Sequence, residues 1–245
     1  MLRRFLVLCV VFGGIVTMMV SGQTPIKAAV GLSLPPYIIQ GSDNGVDADI
    51  VRQALLASNY ALKLEYVPFA RVAVSMANKS ADCAFPINEA SGVTGVYYSD
   101  SHISYQNVVV ALKSRGLKVA SVADLRTLRV VAFGDAGNYL GPDFAAMAKA
   151  NKTYSEIADQ EAQVKLLFKG RADVLVMDIN IFKYFRQNIK DMDVRQEVVF
   201  YQIFAPTAYK VAFTDRDVRD KFNTGLKAIK ASGKYAEIFK TYISQ

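Results

Sequence analysis

Ala77-Asn78-Lys79-Ser80-Ala81-Asp82-Cys83-Ala84-Phe85-Pro86-Ile87-Asn88 and Leu167-Phe168-Lys169-Gly170-Arg171-Ala172-Asp173-Val174-Leu175-Val176-Met177-Asp178 are two versions of one unit, about ninety residues apart. Each carries the end of an amphipathic helix, a polar turn containing Lys, Ala-Asp, and an apolar run that closes on a polar residue. A short apolar run after a helix and a tight turn reads as a buried parallel strand. Ligands in open α/β sheets bind outside the carboxyl ends of such strands. Asn88 and Asp178 occupy those ends in separate halves of the chain. Two α/β lobes facing each other across a cleft are therefore expected.

The chain has 245 residues, 52% hydrophobic and 21% charged, the balance of an ordinary globular protein. Met1-Leu2-Arg3-Arg4 is basic, Phe5 to Val20 is nearly all apolar, and Ser21-Gly22 follows. This reads as a secretory signal peptide over residues 1–22, cleaved near Gln23, the alternative being an uncleaved anchor. A periplasmic location is expected. Cys9 lies inside the apolar run, so Cys83 is the one cysteine of the mature chain and excludes an internal disulfide. Its place in an apolar strand marks it as a core residue. The formal charge of +7 comes from 29 basic and 22 acidic residues, scattered without an aromatic-interleaved stripe, and no nucleic-acid partner is expected.

Outward from the repeated unit, Lys27–Leu34 reads as a first strand, Val46–Tyr60 as a helix, 62–67 as a strand and 72–76 as a helix. Residues 102–113 read as one long strand leaving the first lobe, and 121–125 as a short capped helix. A strand at 128–133, a helix at 139–150, a strand at 155–157 and helices at 160–168 and 179–189 follow. β-type segments within 198–213 suit a return crossing, and helices over 215–231 and 234–243 close the chain. The expected organisation is a discontinuous first lobe, 23–112 with 201–245, and an inserted second lobe, 113–200. Two crossings between them form a hinge.

Pro36-Tyr37, Gly45-Val46-Asp47-Ala48-Asp49-Ile50, Tyr97-Tyr98-Ser99-Asp100, Ser121 to Leu125, Gly170-Arg171-Ala172-Asp173 and Ala231 to Phe239 occur in an order and spacing that resemble the periplasmic solute-binding proteins of ABC importers, in the group of polar amino-acid binders. The resemblance spans the mature chain. It implies the type II periplasmic-binding-protein fold, a monomer that closes on a small solute, no cofactor, and an ABC permease or membrane receptor as partner. One departure stands out. Amino-acid binders of this group carry a Thr-Pro-Glu-Arg-like segment whose Arg grips the ligand carboxylate. Here the stretch is Asn88-Glu89-Ala90-Ser91-Gly92-Val93-Thr94, without Arg.

Candidate ligand-binding residues follow from strand ends and from this resemblance. Tyr37 is either an aromatic over the ligand or a packing residue. In Phe69-Ala70-Arg71, Arg71 at a helix start opposes the helix dipole, which favours an anion-binding reason over a plain surface position. Asn88 and Glu89 close the first repeat strand, Glu89 serving as an acceptor for an ammonium or as a solvated loop charge. Asp178 closes the second, as acceptor for a ligand amine, as cap of the helix from Ile179, or as both. Gly137, Asn138 and Tyr139 lie in a strand-to-helix turn whose N–H groups suit an anion or an ordinary tight turn. Tyr105 and Phe204 belong to the hinge or to the cleft wall.

No Ser-His-Asp arrangement surrounds His102, the one histidine, and no Cys/His cluster has metal-ligand spacing. A binding protein for a small polar solute, amino-acid-like or amine-bearing, is the expectation. A dehydratase-like enzyme of the same fold, with Glu89 or Asp178 as general acid or base, is the runner-up, beside a sensor partner without a transporter.

Overall fold

The computed structural model describes residues 22–243, and the expected signal peptide lies outside the described residues but for Gly22. The chain enters as β1 (Thr24–Gly31), turns into α1 (Val46–Leu56), and continues through β2 (Tyr60–Val67), α2 (Phe69–Ala77) and β3 (Cys83–Ile87). β1 pairs parallel with both β2 and β3. Short strands β4 (Tyr97–Tyr98) and β5 (Ile103–Tyr105) precede β6 (Asn107–Leu112). The inserted part holds β7 (Val130–Phe133), α3 (Ala136–Tyr139), α4 (Pro142–Ala150), β8 (Ser155–Ile157), α5 (Gln160–Phe168), β9 (Val174–Asp178), α6 (Ile179–Asn188) and β10 (Val198–Tyr201). β11 (Thr207–Phe213), α7 (Arg216–Ala231) and α8 (Lys234–Tyr242) return to the first part. Two sheets result, ordered β2-β1-β3-β11-β4, with β5 also on β11, and β10-β6-β9-β7-β8. Among the described residues no helix is long and apolar enough to cross a membrane.

The repeated unit turns out to be a device for seating a central strand. β3 and β9 are each buried along all five residues, because neighbours flank them on both sides and helices cover the faces. The residue three before each Asp, Lys79 or Gly170, takes a left-handed conformation that reverses the chain. Each Asp then exchanges two hydrogen bonds with the adjacent strand. Asp82 N donates to Lys27 O at 2.8 Å while Lys27 N donates to Asp82 Oδ2 at 2.8 Å. Asp173 N donates to Arg129 O at 2.9 Å while Arg129 N donates to Asp173 Oδ2 at 2.8 Å. Cys83 is buried, and burial pushes its thiol up, as a core residue requires.

Three expectations change. The long strand over 102–113 is cut at Gln106: β5 pairs with β11 in the first sheet, whereas β6 pairs with β9 and β10 in the second. Sheet membership therefore places Asn107–Leu112, expected with the first lobe, in the second sheet. Tyr201 likewise still pairs with Val109 there. Apolar continuity through Val108–Leu112 carries no information about which partner a strand will find. Finally, the helix expected over 139–150 is two helices, because Gly141, at φ 88°, and Pro142 start α4 afresh.

Helix α1 buries Asp47, Ile50, Val51 and Ala54, and α7 lies directly across it. Gly225 of α7 permits the approach: a β-carbon there would stand 2.0 Å from the Ala54 carbonyl oxygen. Gly225→Ala is expected to cost about 2–3 kcal/mol despite the better helix propensity of Ala, read from denaturant midpoints. Asp173→Asn is expected to cost about 1–2 kcal/mol at pH 7, since it weakens hydrogen bonds from Arg129 and Arg115 to a largely buried carboxylate. The Arg129 hydrogen bonds hold the Asp173 carboxyl below the usual range. Its contribution is thus complete above the unfolded value of about 3.9 and is lost as pH falls through the lower folded value. The gap between wild type and variant should narrow below about pH 4.

Candidate functional site

The carboxyl ends of β1, β2 and β3 lie along one edge of the first sheet, and those of β7, β8 and β9 along one edge of the second. The two edges meet through Tyr37 and Asp178. Tyr37 Oη donates to Asp178 Oδ1 at 2.9 Å and accepts from Asn180 Nδ2 at 3.0 Å. Asp178, 3% exposed, also caps α6, with Oδ1 accepting from Asn180 N at 2.8 Å and Ile181 N at 3.0 Å. Its Oδ2 accepts from Gln106 N at 2.9 Å. Burial pushes the Asp178 carboxyl up against the opposing pull of these donors, and burial with the Asp178 charge pushes the Tyr37 phenol up.

Behind Tyr37 a polar chain runs into the first lobe. Tyr37 stacks on Tyr105 at 3.8 Å between ring centroids, and Tyr105 packs against Tyr209 at 4.7 Å. Tyr105 Oη donates to Asp47 Oδ2 at 3.1 Å, and the other Asp47 oxygen meets His102 Nε2. Asp47 and His102 are fully buried. Asp47 escaped the sequence reading as a site residue. Its signal was there: it falls on the same helical face as Ile50, Val51 and Ala54, where a lone carboxylate needs buried partners.

The crossings between the sheets are Gln106 on one side and residues 202–206 on the other. The Gln106 side chain ties them, Nε2 donating to Asn107 O at 2.8 Å and to Phe204 O at 2.9 Å. The wider set of expected residues is distributed around this joint. Asn88 accepts from Ala90 N at 3.1 Å and donates to Ala208 O at 3.2 Å, and Glu89 pairs with Lys210 at 2.5 Å. Phe69 and Arg71 sit in the first turn of α2, which begins three residues before the expected start at Val72. The Phe69 ring covers Gly31, where a β-carbon would stand 2.7 Å from it.

In the second lobe Asn138 and Tyr139 are exposed, and Tyr139 helps raise the Tyr209 phenol to about 12, after burial as the main cause. Gly137 N donates to Glu156 Oε1 at 3.0 Å and Asp135 N to Glu156 Oε2 at 2.7 Å. Burial tends to raise the Glu156 carboxyl, but these bonds and that from Tyr154 Oη, at 2.5 Å, hold it below its usual value. The turn expected to offer N–H groups to a ligand thus already holds a carboxylate of the chain, which the sequence reading did not foresee. A recess of about 150 Å³ between α1 and α8, lined by Asp49, Gln53, Lys234 and Glu237, lies away from the strand ends.

Two sheets with opposed carboxyl edges and a double crossing define a type II periplasmic-binding-protein fold. Solved structures agree. A GluR0 ligand-binding core in complex with L-glutamate superposes with a TM-score of 0.72 at 14% identity, covering 90% of this chain and 99% of that one. The arginine-, lysine-, histidine-binding protein ArtJ from Geobacillus stearothermophilus gives 0.67 at 16% identity, over 89% and 95% of the two chains. A histidine kinase sensor domain similar to periplasmic binding proteins gives 0.70 at 17%, over 90% and 96%. At such identities the likeness is one of fold. The chain belongs to the bacterial extracellular solute-binding proteins, family 3, whose profile matches residues 26–245. No curated protein sequence matches it. It is a ligand-binding protein by family.

Asp178→Ala would strand the Tyr37 hydroxyl, the Gln106 N–H and the first N–H groups of α6 at once. A loss of about 3 kcal/mol or more is expected, read as a fall of roughly 6–12 °C in Tm.

Proposed function

We propose that this chain is an exported solute-binding protein that closes over a small polar solute and presents it to an ABC permease or a membrane receptor. The observation that carries the reading is the meeting of two strand-end edges at one contact, Tyr37 on Asp178, beside crossings as short as Gln106. An edge-to-edge joint of this kind can open by rotation about the crossings with little change inside either sheet. A solute then shifts the balance toward the closed form by its differential affinity for it. Family membership supports binding without turnover. The site residues of this reading are Tyr37, Phe69, Arg71, Asn88, Glu89, Gly137, Asn138, Tyr139 and Asp178, with Tyr37, Asp178 and Gln106 governing closure. An amino-acid-like or amine-bearing solute would have to compete with Tyr37 for Asp178 and with Lys210 for Glu89.

A thermal-shift screen of the purified protein against amino acids, amines, peptides and small carboxylates tests the reading. A solute at a hundred times its Kd is expected to add about 2.7 kcal/mol, or roughly 5–10 °C, and to be recovered unchanged. Conversion of the solute to a product would move the protein to the enzyme reading, and no response from any solute would count against binding in this cleft.

A further inference from the structure

The groups at the strand ends divide into those already partnered within the chain and those left free. A carboxylate offers about four acceptor positions. Asp178 has four donors on it, Tyr37 Oη, Asn180 N and Ile181 N crowded on Oδ1 and Gln106 N alone on Oδ2. Tyr37 is fully buried and stacked on Tyr105, which holds its hydroxyl on Asp178 Oδ1. Glu89 is neutralised by Lys210, and the Asn88 side chain spends its oxygen on Ala90 and its amide on Ala208. The Asp135 and Gly137 N–H groups are taken by Glu156.

What remains free has a different character. Arg71 is exposed, and while its backbone bonds Pro68 O and Ser75 Oγ, its guanidinium has no hydrogen-bond or ion-pair partner among the described residues. Phe69, two residues before it, is 53% exposed, and Leu32, following β1, is 51% exposed. Across the joint Tyr139 is 60% exposed. A guanidinium following β2, with exposed apolar side chains following the ends of β1, β2 and β7, is complementary to an anion on an apolar, flat body, through charge-assisted hydrogen bonds and ring contacts. Without Arg3 and Arg4 of the expected signal peptide, 27 basic residues still outnumber 22 acidic ones, an excess of +5 that attracts an anion.

We propose that the solute is an organic anion with an aromatic or similarly flat apolar body, held by Arg71 and flanked by Phe69 and Tyr139, and that Tyr37 bars an amino group from Asp178. The assignment rests on the solute-binding reading above and names the class of solute. The carboxylate-type group lies against Arg71, the body lies between the exposed rings, and no ammonium is needed.

Three probes of one body isolate the charged groups: phenylacetate has only the carboxylate, phenethylamine only the ammonium, and L-phenylalanine both. Isothermal titration calorimetry on the wild-type protein is expected to show phenylacetate binding, no measurable phenethylamine binding, and L-phenylalanine no tighter than phenylacetate. Arg71→Gln, at an exposed position, should weaken phenylacetate about tenfold or more. Tyr37→Phe, checked for folding by circular dichroism, should gain phenethylamine binding by freeing one acceptor position of Asp178. Should Tyr37→Phe not fold, the wild-type ranking and Arg71→Gln decide. Tighter wild-type binding of either amine-bearing probe than of phenylacetate, or an unchanged phenylacetate affinity in Arg71→Gln, overturns the proposal. If none of the three binds while another solute of the wider screen does, this solute class falls and the solute-binding reading stands. If nothing binds at all, both fall.

Discussion

A carboxylate taken out of water must be given donors in place of solvent, and Asp178 collects its four from three separate parts of the chain. Two come from the first turn of the helix that it caps, one from the backbone of a crossing, and one from a tyrosine of the other lobe. The local donors would be present in an isolated second lobe. The Tyr37 hydroxyl arrives only when the two sheet edges meet. Asp178 is therefore both the start of a helix and the point at which the lobes register on each other, and three of its four bonds fall on one oxygen.

The polar chain behind Tyr37 gives that contact its rigidity. Tyr37 cannot move without disturbing the ring of Tyr105, and Tyr105 is held by Asp47, which is in turn held by His102. Buried polar networks with mutually dependent partners hold one geometry well. On the other side, Gln106 is the single residue between strands of different sheets, and its amide spans to Phe204 on the second crossing. A stiff anchor in one lobe beside a one-residue link is a suitable arrangement for a joint that opens as two bodies. Tyr37, Lys210 and Glu156 partner Asp178, Glu89 and the Gly137 turn within the chain, whereas Arg71, Phe69 and Tyr139 stay exposed.

The two repeated units were legible because each is a local device: a left-handed turn residue, an Asp that exchanges bonds with the next strand, and a strand of five buried residues, at least four of them apolar. Helix and strand order followed from periodicity, and the capping of α6 by Asp178 from the residue type at its start. What local pattern left unresolved was partnership. The run from Val108 to Leu112 looks the same whichever sheet it joins, and the break at Gln106 has no proline or glycine to mark it. Glu156 lies nineteen residues from the Gly137 turn that it fills, and Tyr37 lies 141 residues from Asp178.

The sequence by itself determined the α/β class, the duplicated strand unit, the strand ends at which a site is built, and the absence of the arginine expected in an amino-acid grip. These depend on side-chain period, turn chemistry and residue identity, which are local properties of a chain. Only the tertiary structure decided which of the candidate groups are spent on each other, because hydrogen-bond saturation is a property of the assembled surroundings. Asp178, Glu89 and the Gly137 turn are chemically suited to a ligand when seen alone, and folding gives each a partner from a distant segment. The Arg71 guanidinium receives none among the described residues, a difference invisible in the order of residues.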